Sequence, residues 1–277
     1  MLADLHLHTT ASDGDLDPAA LLARAATHGV RVLAITDHDT LGAYRWRDGA
    51  VFAEARGLGL ELTIGLELDV ALDGREVHLL GLGVELEAPA LCAHLEAVRG
   101  ARVARARRDL DKVRARLGER ALDASDVFVP GRDSLMRPHL IRPLLARGYF
   151  SSYEEGRDWF HENARSTVAV PKPEIGEAIG MVHAAGGDAV LAHPGYYWKD
   201  GYPIFERLAS LRALGLDGVE LDYPYTSSSP GLFGDGDEGR FVSALRAAGE
   251  GLSLRFTRGS DAHSPADFDR VYGPAPA

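Results

Sequence analysis

The 277-residue chain has a single cysteine, only three lysines and no apolar run approaching the roughly 20 residues of a membrane-spanning helix. Lone Cys92 excludes an internal disulfide and a thiolate cluster, so any metal site has to be built from histidines and carboxylates. The opening Met1-Leu2-Ala3-Asp4 contains no basic leader or cleavage region, which with the missing span predicts a cytoplasmic protein. Positive charge is also in deficit, with a net charge of −11. That balance argues against membrane binding and against a stable grip on duplex DNA. An anionic substrate would have to be drawn in by metal ions or by a local basic cluster.

Hydrophobic residues make up 45% of the chain, ample for a buried core. Short apolar runs at residues 2–7, 30–36, 60–68, 77–84, 189–192, 218–221 and 252–257 read as strands. Most alternate with helical periodicity at 18–28, near 41–56, and at 173–185, 204–214 and 238–248. Asp17 before Pro18 is suited to cap the first helix. Strand and helix taking turns predict an α/β fold, a parallel sheet or barrel. Between about 88 and 168 the alternation stops, leaving several helices, a long polar one from about 88 to 117, and no convincing strand. This stretch is expected to be a helical insertion covering the site, with 1–87 and 169–277 as the barrel. There is no internal repeat, and Ser227-Ser228-Ser229-Pro230-Gly231 followed by Gly234-Asp235-Gly236-Asp237 reads as a mobile loop.

Six of the eleven histidines fall at or near predicted strand ends, beginning with Asp4-Leu5-His6-Leu7-His8. Residues i and i+2 of a strand face the same way, so His6 and His8 can hold one ion together. A lone H-x-H is more often two ordinary strand histidines, but the rest of the set reverses that balance. In chain order it is His6, His8, Asp13, Asp37-His38-Asp39, Glu67, His78, His193 and Asp261-x-His263. Loops after strand C-termini build the active sites of α/β barrels, so these residues can converge on one rim. Their number suffices for several divalent ions, with a carboxylate such as Glu67 able to bridge two.

Asp4-Leu5-His6-Leu7-His8-Thr9-Thr10 with Ser12-Asp13-Gly14, Ile35-Thr36-Asp37-His38-Asp39, Gly65-Leu66-Glu67, Val77-His78-Leu79-Leu80-Gly81, Ala192-His193-Pro194 and Gly259-Ser260-Asp261-Ala262-His263 together resemble the PHP (polymerase and histidinol phosphatase) family of phosphoesterases. The resemblance spans nearly the whole chain. Arg137-Pro138-His139 and Ala184-Ala185-Gly186-Gly187 make it similar to the stand-alone branch of 3′,5′-nucleoside bisphosphate phosphatases and 5′-3′ exoribonucleases on short RNA. The resemblance implies a distorted (β/α)7 barrel with three divalent metal ions, manganese foremost and iron or zinc as alternatives. It implies His6, His8, Asp261 and Glu67 around one ion, Asp13, His38 and His263 around a second, and Glu67, His78 and His193 around a third. The implied reaction is hydrolysis of a nucleotide phosphomonoester by a hydroxide bridging two ions, with no nucleophilic side chain. Asp4 and Asp37 are expected to orient ligand imidazoles. Asp39 either does the same or caps the helix near Leu41.

His139 is the candidate catalytic and substrate-contacting histidine, placed to serve the leaving oxygen. Capping a helix or facing solvent after Pro138 is the plain alternative. Arg99, Arg102, Arg105, Arg107, Arg108, Lys112, Arg114 and Arg116, against only Asp109 and Asp111, make one basic segment in an acidic protein. Spacings of three put Arg102, Arg105 and Arg108 near one helix face, and guanidinium forks suit a second phosphate held away from the metals. A solvated helix face would read the same way. The resemblance favours Arg102, Arg105 and Arg137 as substrate contacts. His28, His94, His161 and His183 lie in helical stretches without carboxylate spacing and are taken as structural or exposed. Tyr196, Tyr197 and Trp198 either pack their loop, the ordinary account, or stack on a base.

After Glu220 the related enzymes often carry a histidine, where this chain has Leu221-Asp222-Tyr223-Pro224-Tyr225-Thr226. Another small phosphomonoester, such as histidinol phosphate, is therefore the alternative substrate. Two further classes compete. An amidohydrolase-type C–N hydrolase often uses a carboxylated strand-end lysine, and none of Lys112, Lys172 and Lys199 ends a core strand. A catalytically silent metal-binding module is opposed by the complete ligand set.

Overall fold

Seven strands form in the expected places and lie side by side, in chain order, in one sheet. The computed structural model describes residues 1–228, 231–234 and 236–274. The strands are β1 (Leu2–Asp4), β2 (Val30–Ile35), β3 (Glu61–Leu72), β4 (Arg75–Leu82), β5 (Asp188–Leu191), β6 (Gly218–Asp222) and β7 (Arg255–Arg258), and helices separate most of them. The chain just past β1 meets the chain just past β7: Leu5 N donates to Arg258 O at 2.9 Å, Asp261 N to His6 O at 2.9 Å and His8 N to Ala262 O at 3.2 Å. The first and last motifs of the sequence are thus hydrogen-bonded neighbours.

The expected parallel alternation breaks at β4, which runs antiparallel to both β3 and β5. The cause is local. Asp73 and Gly74 take φ of 51° and 75°, the two left-handed residues of the tight hairpin that Asp-Gly favours, so β3 folds straight back without a crossover helix. β3 also runs past residue 68 to Leu72. Glu67 and His78 therefore sit inside strands rather than at strand ends.

Along β3, Leu66, Leu68 and Val70 alternate with Glu67 and Asp69, as a strand with one apolar face requires. The apolar set joins Val77 and Leu79 in the main core. Glu67 and Asp69 take the other face, where His78 lies directly across from Asp69. A small separate apolar cluster of Ala34, Leu80, Leu82, Val190 and Ala192 floors that inner face.

The first helix, Pro18–Thr27, starts as expected, with the Asp17 side chain accepting from Ala20 N. The helix expected near 41–56 is instead broken into Gly42–Arg45, a 3-10 turn and Ala50–Gly57, because Arg47, Asp48 and Gly49 all turn left-handed. The long helix, Pro89–Leu117, is present, followed by Ala124–Val127, Pro138–Ala146 and Tyr153–Asn163. One end of the long helix gives Leu91 and Leu95 to the main core. The other end gives Ala106, Leu110 and Val113 to a second cluster with Leu122, Leu140, Leu144 and Phe160. Each such leucine contributes about 1.5–3 kcal/mol by leaving water, so the helix is anchored at both ends. Of the loop expected at 227–237, Ser229, Pro230 and Asp235 lie outside the described residues, and Tyr225–Ser228 is a helical turn. Among the described residues no helix is long and apolar enough to cross a membrane.

Candidate metal centre

The structure brings all nine sequence-predicted ligands into one buried cluster above the inner apolar floor. Three overlapping groups place a ligand atom from each member within 4.8 Å of the others: His6, His8, Glu67 and Asp261; His8, Asp13, His38 and His263; and His38, Glu67 and His78. The first group is the one the resemblance implied. The second gains His8. In the third, His38 stands beside Glu67 and His78, while His193 Nε2 lies 3.1 Å from Glu67 Oε1 and 3.2 Å from His78 Nδ1. Glu67 is the hub: Oε2 is 3.2, 3.4 and 3.3 Å from His6, His8 and His38, and Oε1 is 2.9 Å from His78.

The donor set fits divalent cations. His6 Nε2, both ring nitrogens of His8, Asp13 Oδ1 and Glu67 Oε2 are buried yet make no hydrogen bond. A buried unpaired polar atom costs about 1–3 kcal/mol, and several facing one another form a cage of lone pairs. Imidazole and carboxylate suit borderline and hard divalent ions. Electrostatics agree. Burial alone would raise the pKa of Glu67, but His38, His6 and His78 hold it well below the usual carboxylate range. Against the same burial, Glu67, Asp13 and Asp69 lift His38 to about 9, and Glu67 with Asp69 lifts His78 to about 9. Asp13 and Asp261 likewise lift His263 to about 10. Without metal these imidazoles hold protons that an incoming cation must displace.

Several carboxylates around the cluster were placed otherwise by the sequence. Asp4 ties down main chain rather than an imidazole: it accepts from Ser260 Oγ at 2.6 Å, Ser260 N at 3.0 Å and Tyr272 Oη at 2.7 Å. Asp37 fastens the Thr9–Ser12 loop, accepting from Thr9 N, Thr9 Oγ1 and Ser12 Oγ at 2.7, 2.6 and 2.5 Å. Asp39 neither orients an imidazole nor caps a helix; it pairs with Arg102 and accepts from Asp69 N. Two groups that the sequence did not reveal do face ligand imidazoles at close range. Glu220, wholly buried on β6, receives His6 Nδ1 at 3.1 Å and His193 N at 2.8 Å. Asp69 Oδ1 lies 3.2 Å from His38 Nδ1. A single Glu in the apolar run Gly218-Val219-Glu220-Leu221, and the second carboxylate of Glu67-x-Asp69, were the available signals.

The expected substrate contacts divide. Arg102 is 1% exposed, and its guanidinium is committed to Asp39 and, at 2.8 Å, to Asp69. Arg108, expected on its face, is exposed. His139 is held neutral: burial and Arg132 bring its pKa down to about 4. Its Nδ1 accepts from Met136 N at 2.9 Å, so this nitrogen braces the ring's own loop. Arg105 and Arg137, by contrast, pair with no carboxylate among the described residues, and Arg137 Nε is buried without a partner. With His161, Arg165 and Lys172 they line a cavity of about 510 Å³. An adjoining hollow of about 190 Å³ shares Arg105, Arg137, Arg165 and Lys172 and reaches Asp69 and Arg102. Burial, Arg102 and Arg137 lower the pKa of Arg105 to about 10, which marks crowded, unmet positive charge. His28 and His183 are paired with Asp269 and Asp217, and His94 and His161 also lie outside the cluster. Trp198 packs on Phe233 and Phe241, while Tyr196 and Tyr197 lie against His193.

A hydrolase working through clustered divalent cations is the class that this fold and donor set define. The chain belongs to the PHP family: the PHP domain model matches residues 4–208, and with the family comes metal-dependent phosphoesterase chemistry. It is 32% identical over 272 residues to the 3′,5′-nucleoside bisphosphate phosphatase of Chromobacterium violaceum, covering 98% of this chain and 90% of that one. It is 34% identical over 219 residues to a 5′-3′ exoribonuclease of Haemophilus influenzae, covering 79% and 78%. Among solved structures, a Bifidobacterium adolescentis protein assigned as a metal-dependent phosphoesterase superposes with a TM-score of 0.75 at 26% identity, covering 94% of this chain and 87% of that one.

Proposed function

We propose that this protein removes a phosphate from a nucleotide that carries a second phosphate, a 3′,5′-nucleoside bisphosphate or the 5′ end of a short RNA. The observation that carries the reading is the pairing of two opposite surpluses. A carboxylate–imidazole cage stands one side chain, Asp69, away from a hollow lined by Arg105, Arg137 and Arg165, where Lys172 is paired with Glu76. In this reading His6, His8, Asp13, His38, Glu67, His78, His193, Asp261 and His263 hold three divalent ions, manganese first and iron or zinc as alternatives. When bound, such ions lower the pKa of water and neutralise charge on a phosphoryl group.

The chain's own residues supply the rest. Glu67 offers an oxygen to each side of the cage, and Glu220 fixes the ring of His6, which keeps Nε2 aimed inward. Arg137, with a buried Nε that has no partner, and Arg105, which pairs with no carboxylate among the described residues, would hold the phosphate that is not cleaved. Arg102 acts at one remove by holding Asp69 and Asp39 in place. The names of the Chromobacterium and Haemophilus relatives support the nucleotide substrate class.

The direct test is phosphate release by the manganese-loaded protein from 3′,5′-adenosine bisphosphate, AMP and histidinol phosphate, side by side. A strong preference for the bisphosphate is expected. Activity confined to monophosphates would retain the cage and discard the arginine hollow as an anchor.

A further inference from the structure

β6 loses register with β7 between Glu220 and Asp222. The slip sends Asp222 to solvent and turns the next residue, Tyr223, inward, where it is 3% exposed. The Tyr223 hydroxyl donates to Asp261 Oδ2 at 2.9 Å. The other oxygen of the same carboxylate, Oδ1, lies 2.9 Å from His8 Nε2 and 3.4 Å from His6 Nε2. Asp261 is therefore divided, with one oxygen on the cage and one on a phenol.

The main chain cannot settle that orientation by itself. Asp261 has a left-handed backbone, φ 54°, pinned by its N–H to His6 O at 2.9 Å, which leaves side-chain rotation as the free variable. Tyr223 is fixed in turn. Its ring lies 4.6 Å from Tyr225 and edge-on to His193 at 5.6 Å, and its hydroxyl is 3.2 Å from that of Tyr196. The phenol thus spans the cage from the His193 side to the Asp261 side.

We infer that Tyr223 is a positioning residue: by occupying Oδ2 it makes Asp261 present Oδ1 alone to the ion held with His6, His8 and Glu67. The inference rests on the ligand role proposed above for Asp261. Without the hydroxyl, the partly exposed Asp261 carboxylate would lose the donor on Oδ2 and be free to rotate towards the cage with both oxygens. Groups that orient a metal ligand in this way typically change metal affinity by 10–100-fold when removed.

The test is competition for manganese between the full-length protein and a fluorescent chelator, with metal-free melting temperature as a companion readout. Tyr223→Phe keeps the ring and its packing. It is expected to weaken the first group's manganese binding about 10–100-fold while leaving the metal-free melting temperature in place. Tyr225→Phe deletes a hydroxyl from the same stack, one bonded to Gly195 N, and is expected to bind like the wild type. Asp261→Asn is expected to lose that ion. Unchanged binding by Tyr223→Phe alongside loss in Asp261→Asn would overturn the positioning role and leave the ligand reading standing. Equal weakening in both tyrosine variants would assign the effect to packing and overturn it too. Wild-type binding by Asp261→Asn would remove the ligand reading and this inference together.

Discussion

The inner face of the sheet and the helical stretch beside it are charged in opposite senses, and each is held differently. On the inner face, carboxylates and imidazoles crowd one another on the strands and the loops just beyond them. In the helical stretch, arginines crowd one another on a long helix and the segments packed against it. Asp39 and Asp69 absorb one of those arginines, Arg102, and leave Arg105 and Arg137 with spare donors. An acidic chain can thus leave a few arginines unpaired even beside buried carboxylates, because those carboxylates are already taken by a neighbour.

Glu67→Gln attacks the first region at its hub and is expected to have the largest effect. Metal content measured on the purified protein should fall, and phosphate release should drop by about 10³-fold or more, since metal ions supply several kcal/mol of charge stabilisation. Full activity in this variant would end the metal reading. Arg102→Ala strikes the junction of the two regions. It leaves Asp39 buried without its counter-charge and Asp69 with only His38 and His78 beside it, and chemical denaturation should report a loss of about 3–5 kcal/mol. A variant of native stability would mean that Arg102 is not the tie between them.

Arg105→Ala and Arg137→Ala strike the second region alone. A hydrogen bond to a charged group is worth about 1.5–3 kcal/mol, so steady-state kinetics should show KM for the bisphosphate rising by roughly tenfold or more. Monophosphates should be little affected; equal losses on both would dissolve the contrast between cage and anchor. The gentlest probe is pH. His38 and His78 at about 9 and His263 at about 10 are raised above the ordinary 6.5. Their contribution to the metal-free fold is therefore complete below about pH 6.5 and lost as pH climbs through 9–10. Manganese has to displace those protons, so the rise in melting temperature that it causes should grow over the same window. A metal-induced rise that is constant from pH 6.5 to 9.5 would contradict the protonated cage.

The legibility of the molecule in its sequence follows range. His6-x-His8 and Asp261-x-His263 could be read because strand periodicity acts over two residues, and the long helix because its periodicity runs unbroken to Leu117. Asp73-Gly74 was equally local, yet the β3–β4 hairpin was hidden because the prevailing strand–helix alternation pointed to a parallel sheet. Glu220 was beyond reach for another reason. Its partner His6 is 214 positions away, and only the pairing of β6 with β7, and of the chain past β7 with the chain past β1, sets the two side by side. The arginines show the same limit. Helical spacing put Arg102 and Arg105 near one face but said nothing of Asp39 and Asp69 waiting opposite the first.

The main-chain bonds that join His6 and His8 to Asp261 and Ala262 also set a clock. During synthesis, His6 and His8 leave the ribosome long before Asp261 and His263 do. Until those two emerge, the nascent chain carries loose histidines and carboxylates but no finished cage. Its choice of metal is therefore deferred until the two distant motifs pair, when geometry as well as simple affinity can select the ion.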